Sequence, residues 1–308
     1  MVATAINEVK GERFWAINGD CVRVLSAIMS SSIDHCIYSP PFGDLFVYSD
    51  SVADMGNCSS REEFFQQYDF MARELLRVMK PGRVCAVHCS DLPTRKWRDG
   101  VVGLTPFSDH IREAHERAGF IFYRRVTIWK CPVVEQGRTH ARNLLYGELL
   151  RDSSMSAPGL PDYLMVFRAP GDNTAPISHS EMSFPLSQWQ EWASPVWMTV
   201  RQTHVLGGIK AQHQAREAAD ERHVCPLQLD VIDRSIIMWS NPGDTVLSPF
   251  MGIGSEGYGA LKMGRRFIGV ELKESYWRQA VGHLRAADDQ SCMFGDVALG
   301  SGATDAVA

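Results

Sequence analysis

Ser39-Pro40-Pro41-Phe42 places a hydroxyl, a stiff pair of prolines and an aromatic ring on four consecutive residues. The prolines restrict the turn and carry no N–H of their own, so the Ser39 hydroxyl and the Pro40 carbonyl can stand as two acceptors in a fixed relation. Phe42 adds a face on which a flat partner can stack. Far downstream, Ser248-Pro249-Phe250-Met251-Gly252-Ile253-Gly254 follows a short apolar run, Thr245-Val246-Leu247. Gly252 and Gly254 let backbone approach a ligand closely, and a helix is expected to start near Ser255. About twenty residues further on, the apolar run Phe267-Ile268-Gly269-Val270 ends in Glu271-Leu272, where a carboxylate can accept from both hydroxyls of a ribose. Strand, glycine turn, helix, strand and acid have the logic of an adenosine-type cofactor site.

Gly252-Ile253-Gly254-Ser255-Glu256-Gly257 also fits the G-x-G-x-x-G pattern of nicotinamide and flavin enzymes, so an NAD(P)-dependent oxidoreductase is a competing reading. Fewer than about forty residues follow Glu271, room for one helix over Ser275–Ala286 and a polar tail, 288–308, that reads as flexible. A parallel sheet cannot be completed from that remainder. Its other strands must come from upstream, which predicts a circularly permuted Rossmann-like α/β fold, a mostly parallel doubly wound sheet with the cofactor unit placed last.

The upstream half supplies them. Arg13–Ile17 reads as a strand ending at Gly19-Asp20, Cys21–Met29 as a helix, and Asp34–Tyr38 as a strand that runs straight into Ser39. Ligands collect at the carboxyl ends of strands in open parallel sheets, so Asp20, the proline turn, the glycine turn and Glu271 are expected along one rim. Arg61–Val78 has helical periodicity, closed by Lys80-Pro81-Gly82. Phe107–Ala118 gives another helix, while Phe120–Lys130 and Tyr163–Arg168 read as strands. Cys85, His88 and Cys89 invite a metal reading, but Arg83–Cys89 alternates like a buried strand and no metal is expected there. Asp44–Ser60 is either a loop over the active site or an ordinary surface connection.

From Ala169 to Arg222 the character changes: Pro176, Pro185 and Pro195, the tryptophans at 189, 192 and 197, and little sustained periodicity. Those tryptophans either stack on bases or fill a small core. The 308 residues, 45% apolar, can bury one large core. A formal charge of −5 is not that of a general polyanion binder, so any nucleic-acid contact needs a local basic face. Candidates are Arg95, Lys96 and Arg98, and Arg124, Arg125, Lys130, Arg138, Arg142 and Arg151. Eight cysteines without a C-x-x-C pair suggest reduced thiols. No stretch has the length of a membrane span and Met1–Arg13 lacks a signal-peptide core, so a cytoplasmic protein is expected.

Ile37–Phe42, Leu160–Leu164, His223–Leu229, and Asn241–Asp244 through Glu271 together resemble the N4-cytosine/N6-adenine DNA amino-methyltransferases. The similarity is to the permuted class in which the catalytic motif precedes the cofactor motif, and especially to versions carried by phages and prophages. It covers about Asn18 to Ala286. Ser248 is a departure, since that family more often has Asp before Pro-Phe. The resemblance implies S-adenosylmethionine as cofactor, held by Asp20, Ser248, Pro249, Phe250, Gly252, Gly254, Ser255, Glu271 and Leu272. It implies double-stranded DNA with a short specific target as substrate, acted on by a monomer or homodimer. Residues 1–170 then form the catalytic half, 171–221 a target-recognition insertion and 222–287 the cofactor half.

The chemistry follows from the residues. The lone pair of an exocyclic base amine is delocalised into the ring, and hydrogen bonds accepted from its two N–H protons by Ser39 and the Pro40 carbonyl draw the nitrogen toward tetrahedral geometry. Phe42 stacks on the flipped base. The chemistry tolerates either base, and the resemblance implies cytosine N4, since serine at the first motif position is commoner in that family's cytosine-N4 members, with adenine N6 as the alternative. Carbon-5 methylation needs a cysteine nucleophile, usually in a Pro-Cys dipeptide, and the chain has Cys131-Pro132 and Cys225-Pro226 but no Pro-Cys. A DNA-binding relative without turnover is the remaining alternative.

Overall fold

The fold comes from a computed structural model, which describes residues 5–41, 55, 58, 60–94, 96–139, 141–207 and 226–295. In chain order it runs β1 (Asn7–Lys10), β2 (Phe14–Asn18), α1 (Cys21–Ser26), β3 (Ile33–Tyr38), α2 (Arg61–Val78) and β4 (Met79–Cys89). Next come β5 (Leu92–Thr94), α3 (Lys96–Asp99), β6 (Gly103–Thr105), α4 (Phe107–Ala118), β7 (Ile121–Ile128), α5 (Pro132–Thr139), α6 (Tyr146–Arg151) and β8 (Asp162–Arg168). The last part holds α7 (Leu186–Trp192), β9 (Val196–Trp197), α8 (Leu229–Trp239), β10 (Thr245–Ser248), α9 (Ser255–Lys262), β11 (Arg266–Glu271) and α10 (Glu274–Gly295).

Nine strands form one sheet in the order β1-β2-β11-β10-β3-β4-β8-β7-β9. From β2 to β4 every pairing is parallel, while β1 and β8 pair antiparallel with their neighbours. The two strands of the glycine unit, last in sequence, lie in the middle, flanked by β2 and β3. Upstream strands therefore complete the sheet on both sides of the glycine unit.

Alternation along each central strand feeds two cores, one on each face. Cys36, Tyr38, Cys85, Val87 and Leu247 point to one face, where α1, α2 and α4 pack with Leu25, Phe64, Tyr68, Met71 and Ile111. Ile37, Val84, Ala86 and Val246 point to the other, against Ile232 and Ile236 of α8, Leu261 of α9 and Leu284 of α10. A sheet buried on both faces needs this near-continuous apolar run in its central strands.

At the end of the sheet away from the site, Arg83 is only 1% exposed. It donates to Asp34 Oδ1 and Asp244 Oδ2, each at 3.1 Å. Asp34 also holds Lys80 Nζ at 2.6 Å and accepts from the Thr245 backbone N–H at 3.0 Å. One guanidinium thus ties β3 and β4 to the turn that launches β10.

Local signals place the helices. Ser60 accepts from the Glu63 N–H at 3.2 Å, a capping contact that starts α2 where the periodicity begins. α1 stops at Ser26, short of the expected Met29, because Arg77 of α2 donates to the Leu25 and Ile28 carbonyls at 2.7 and 2.9 Å and caps it early. α10 runs on past Ala286 to Gly295. There Asp288, 5% exposed, accepts from the Arg13 side chain at 3.0 Å and from the Glu12 N–H at 2.9 Å, tying the helix to the loop before β2.

The segment after Ala169 is less separate than its composition suggests. β9 adds to the sheet edge beside β7, and Trp197, 1% exposed, belongs to the main core rather than to a subdomain of its own. Trp192 and Trp197 sandwich Arg234, with ring centroids 5.4 and 5.0 Å from its guanidinium carbon. Trp189 is half exposed.

Candidate active site

The carboxyl ends of β2, β11, β10, β3 and β4 share one rim, and those of the expected site residues that are described lie along it. Ser39 and Pro41 are half-buried and Pro40 is buried immediately after β3. Phe42 lies outside the described residues, as does most of the 44–60 loop. Ser39 Oγ is 3.2 Å from the His88 carbonyl oxygen and 3.3 Å from His88 Nδ1. On the far side of that ring, Nε2 is 3.3 Å from Asp162 Oδ2, near enough for an ion pair though not aligned as a hydrogen bond. Asp162 Oδ1 holds Lys130 Nζ at 2.6 Å. Burial pushes the Asp162 carboxyl up, but the His88 imidazole and Lys130 ammonium outweigh it and bring it down to about 2. A Ser-His-Asp-Lys chain thus runs inward from the proline turn.

Directly beside the strand that carries the proline turn stands the cofactor unit, since β10 pairs with β3. Gly254 begins α9 at φ 90°, and a Cβ there would stand 3.1 Å from that of Ala280. At Gly257 a Cβ would lie 2.4 Å from Leu284 and 2.5 Å from Phe267, so only glycine lets α9 settle onto the sheet and α10. Glu271 closes β11; its Oε2 accepts from the Gly252 N–H at 2.9 Å and its Oε1 from the Lys273 N–H at 2.8 Å. These bonds fix the carboxylate over the glycine turn, where a ligand hydroxyl can also donate to it. Ser248 Oγ, Ser255 Oγ and Asn18 Oδ1 are buried along this stretch with no hydrogen-bond partner. Buried polar atoms are ordinarily paired, so these three fit a polar ligand. Pro249 is buried, Leu272 half-buried, and the Phe250 ring lies 5.7 Å from that of Tyr38, joining the two motifs.

Asp20 sits on the rim as expected, with a structural duty beside any ligand role. It caps α1 by accepting from the Val22 N–H at 3.0 Å and lies 3.6 Å from Arg23 Nε. Burial raises its carboxyl above the usual range. Among the described candidates for a basic face, Arg125 pairs with Asp109 at 2.6 Å, Lys130 with Asp162, and Arg151 with Glu148. Arg124 lies 4.3 Å over the Tyr123 ring and Lys96 is exposed. Arg95, and the side chains of Arg98, Arg138 and Arg142, lie outside the described residues.

Glu256, 4% exposed at the start of α9, was not singled out by its sequence context. Burial, with the Glu271 carboxylate adding to it, pushes its carboxyl from 4.5 up to about 8. The folded chain therefore holds this proton more tightly than the unfolded chain. Its contribution to stability is complete below about pH 4.5 and is lost as pH rises to about 8, with a slope of roughly 1.4 kcal/mol per pH unit between. Glu256→Gln, which keeps the neutral shape, is expected to flatten that slope and raise Tm most at the alkaline end. Melting curves from pH 5 to 9 are the check, and parallel profiles for the two proteins would contradict a buried neutral acid.

With this geometry in place the comparisons are specific. The chain belongs to the N6/N4 DNA methylase family, whose model matches residues 33–282. That assigns the glycine turn to a methylase rather than to a nicotinamide enzyme. The type II methyltransferase M.MjaI of Methanocaldococcus jannaschii is 27% identical over 209 residues, 66% of this chain and 61% of its own length. The chain thus spans about three fifths of that relative. Among solved structures, a DNA modification methylase of Thermus thermophilus complexed with S-adenosyl-L-methionine aligns with TM-score 0.64 at 20% identity, covering 88% of this chain and 92% of its own. The cytosine-N4-specific PvuII DNA methyltransferase aligns with TM-score 0.65 at 15% identity and 95% coverage of both chains. At these identities the likeness establishes a shared Rossmann-like methyltransferase fold.

Proposed function

We propose that this protein transfers a methyl group from S-adenosylmethionine to the exocyclic amine of a base in DNA, with cytosine N4 as the target. The observation that carries this reading is the placement of Ser39 and Pro40 on the same rim as Glu271 and the glycine turn. The cofactor supplies an electrophilic methyl on a sulfonium, so the protein's task is positioning rather than strong-base chemistry. Glu271 holds the ribose, Asp20 the adenine amine, and Ser248 and Ser255, with Gly252 and Gly254 giving close backbone approach, hold the methionine end. Pro249, Phe250 and Leu272 wall the site. Ser39 Oγ and the Pro40 carbonyl accept from the two amine protons, Pro41 stiffens the turn, and Phe42 stacks on the flipped base. Residues 171–221 read the target sequence.

Nucleoside mass spectrometry of DNA from cells expressing the protein tests the reading. N4-methylcytosine is expected; N6-methyladenine would move the target to adenine, and neither product would reject the activity. In the purified protein, Glu271→Ala is expected to weaken S-adenosylmethionine binding by about 1.5–3 kcal/mol through loss of charge-assisted hydrogen bonds. Titration calorimetry measures it, and unchanged affinity would remove Glu271 from the site.

A further inference from the structure

We infer that His88, backed by Asp162, takes up through Ser39 the proton that the target amine must lose; this rests on the function proposed above. Three observations carry it. Ser39 Oγ, which the proposed function sets against the target amine, is 3.3 Å from His88 Nδ1 and 3.2 Å from the His88 carbonyl oxygen. His88 Nε2 faces Asp162 Oδ2 at 3.3 Å. The His88 and Asp162 side chains are only 9% and 8% exposed, so a protonated ring and its counter-charge interact with little screening by water.

The register of the sheet makes the arrangement. His88, next to last in β4, pairs with Leu164 of the antiparallel β8, and Asp162 opens β8 two residues earlier. Lys130, just beyond the end of β7, reaches the other Asp162 oxygen at 2.6 Å. Asp162 and Lys130 are thus the charged groups at the inner end of the ring. With Nε2 protonated beside Asp162, Nδ1 carries the lone pair and can accept from the Ser39 hydroxyl. A ring serving only to fill the strand interior has no need of a carboxylate on one side and the motif hydroxyl on the other.

Atoms and charge balance in the step. The target nitrogen forms its bond to the methyl carbon as the carbon–sulfur bond breaks, and that electron pair stays on sulfur. The nitrogen, now a methylated cation, gives one proton to Ser39 Oγ while Ser39 passes its own proton to Nδ1. The products are a neutral methylamino base, a neutral thioether, an intact hydroxyl and an imidazolium beside Asp162, which then loses its proton to water. Lys130 shares the Asp162 charge, so the carboxylate does not trap the imidazolium between turnovers. His88 acts on the target only through Ser39, as a positioning residue with a proton-accepting role.

The test is single-turnover methyl transfer to DNA as a function of pH, with S-adenosylmethionine binding measured on the same preparations. Wild type is expected to slow at acid pH as the ring protonates in advance. His88→Asn keeps an amide to hydrogen-bond Ser39 but cannot take a proton. It is expected to be at least about tenfold slower at alkaline pH, to lose the acid limb, and to bind cofactor as wild type does. Asp162→Asn, the gentler change should His88→Asn fail to fold, is expected to move the limb to lower pH. A His88→Asn protein at wild-type rate, or slowed with its acid limb intact, overturns the relay, as does an unmoved limb in Asp162→Asn. Absence of transfer by wild type itself rejects the function, a separate and recognisable failure.

Discussion

Arg83→Ala is expected to destabilise the fold by about 3–5 kcal/mol, the scale for removing one partner of a buried ion pair. The guanidinium bridges Asp34 and Asp244 at 3.1 Å each from a site 1% exposed. Without it Asp244 loses its ion-pair partner and keeps the Asn241 N–H at 2.8 Å and the field of Arg265, while Asp34 keeps the Thr245 N–H and, as its remaining cation, Lys80, whose side chain is 41% exposed. Lys80→Ala should accordingly cost no more than about 1 kcal/mol, as surface pairs do. Removing the charges together, as Arg83→Met with Asp34→Asn and Asp244→Asn, should recover much of the loss, since the penalty lies in the stranded carboxylates. Urea unfolding midpoints at matched slope decide the matter. Equal costs for Arg83→Ala and Lys80→Ala would show that burial of this network contributes nothing.

Ser39→Ala is expected to lower the rate of methyl transfer by roughly tenfold to a thousandfold, the range for loss of one oriented hydrogen-bonding group in a transition state. The variant keeps the Pro40 carbonyl and the whole Glu271 and glycine-turn unit, so binding of cofactor and DNA should change little. Ser39 Oγ bonds inward to His88, and its loss severs the inner chain from the amine as well as removing an acceptor. Single-turnover rates with saturating DNA and cofactor are the measurement. Full activity in the variant would remove the hydroxyl from the chemistry.

Much of this arrangement was legible in the sequence, and the exceptions have physical reasons. α2 and α4 fall where periodicity and end signals put them, because each carries an unbroken apolar stripe against one face of the sheet. β10, α9 and β11 were equally plain, since a glycine turn leaves few alternatives for its flanks. His88 and Asp162 were not joined. Alternation makes His88 look like an ordinary interior position of β4, and only the pairing of β4 with β8 brings Asp162 to it. The signal was present: a lone acid opening an apolar strand in Leu160-Pro161-Asp162-Tyr163-Leu164. Asp20 reads from sequence as a ligand residue, and its spacing to Val22 also makes it a helix cap. β9 escaped because two residues after a proline show no alternation. The end of α10 escaped because its polar composition hid a tertiary anchor at Asp288.

The order of strands in the sheet governs how the chain acquires its shape. β2 and β3 are close in sequence, yet two strands separate them, and those two are made last. Val246 pairs with His35, and Ile268 with Trp15, across more than two hundred residues of intervening chain. A polypeptide emerging from the ribosome therefore presents two unpaired parallel-type edges until β10 and β11 are synthesised, and such edges template association between chains. Closing them requires long-range contacts, which form slowly. Refolding from denaturant is accordingly expected to yield less native protein as its concentration rises, and chains stopped before Thr245 to aggregate rather than persist as a soluble half.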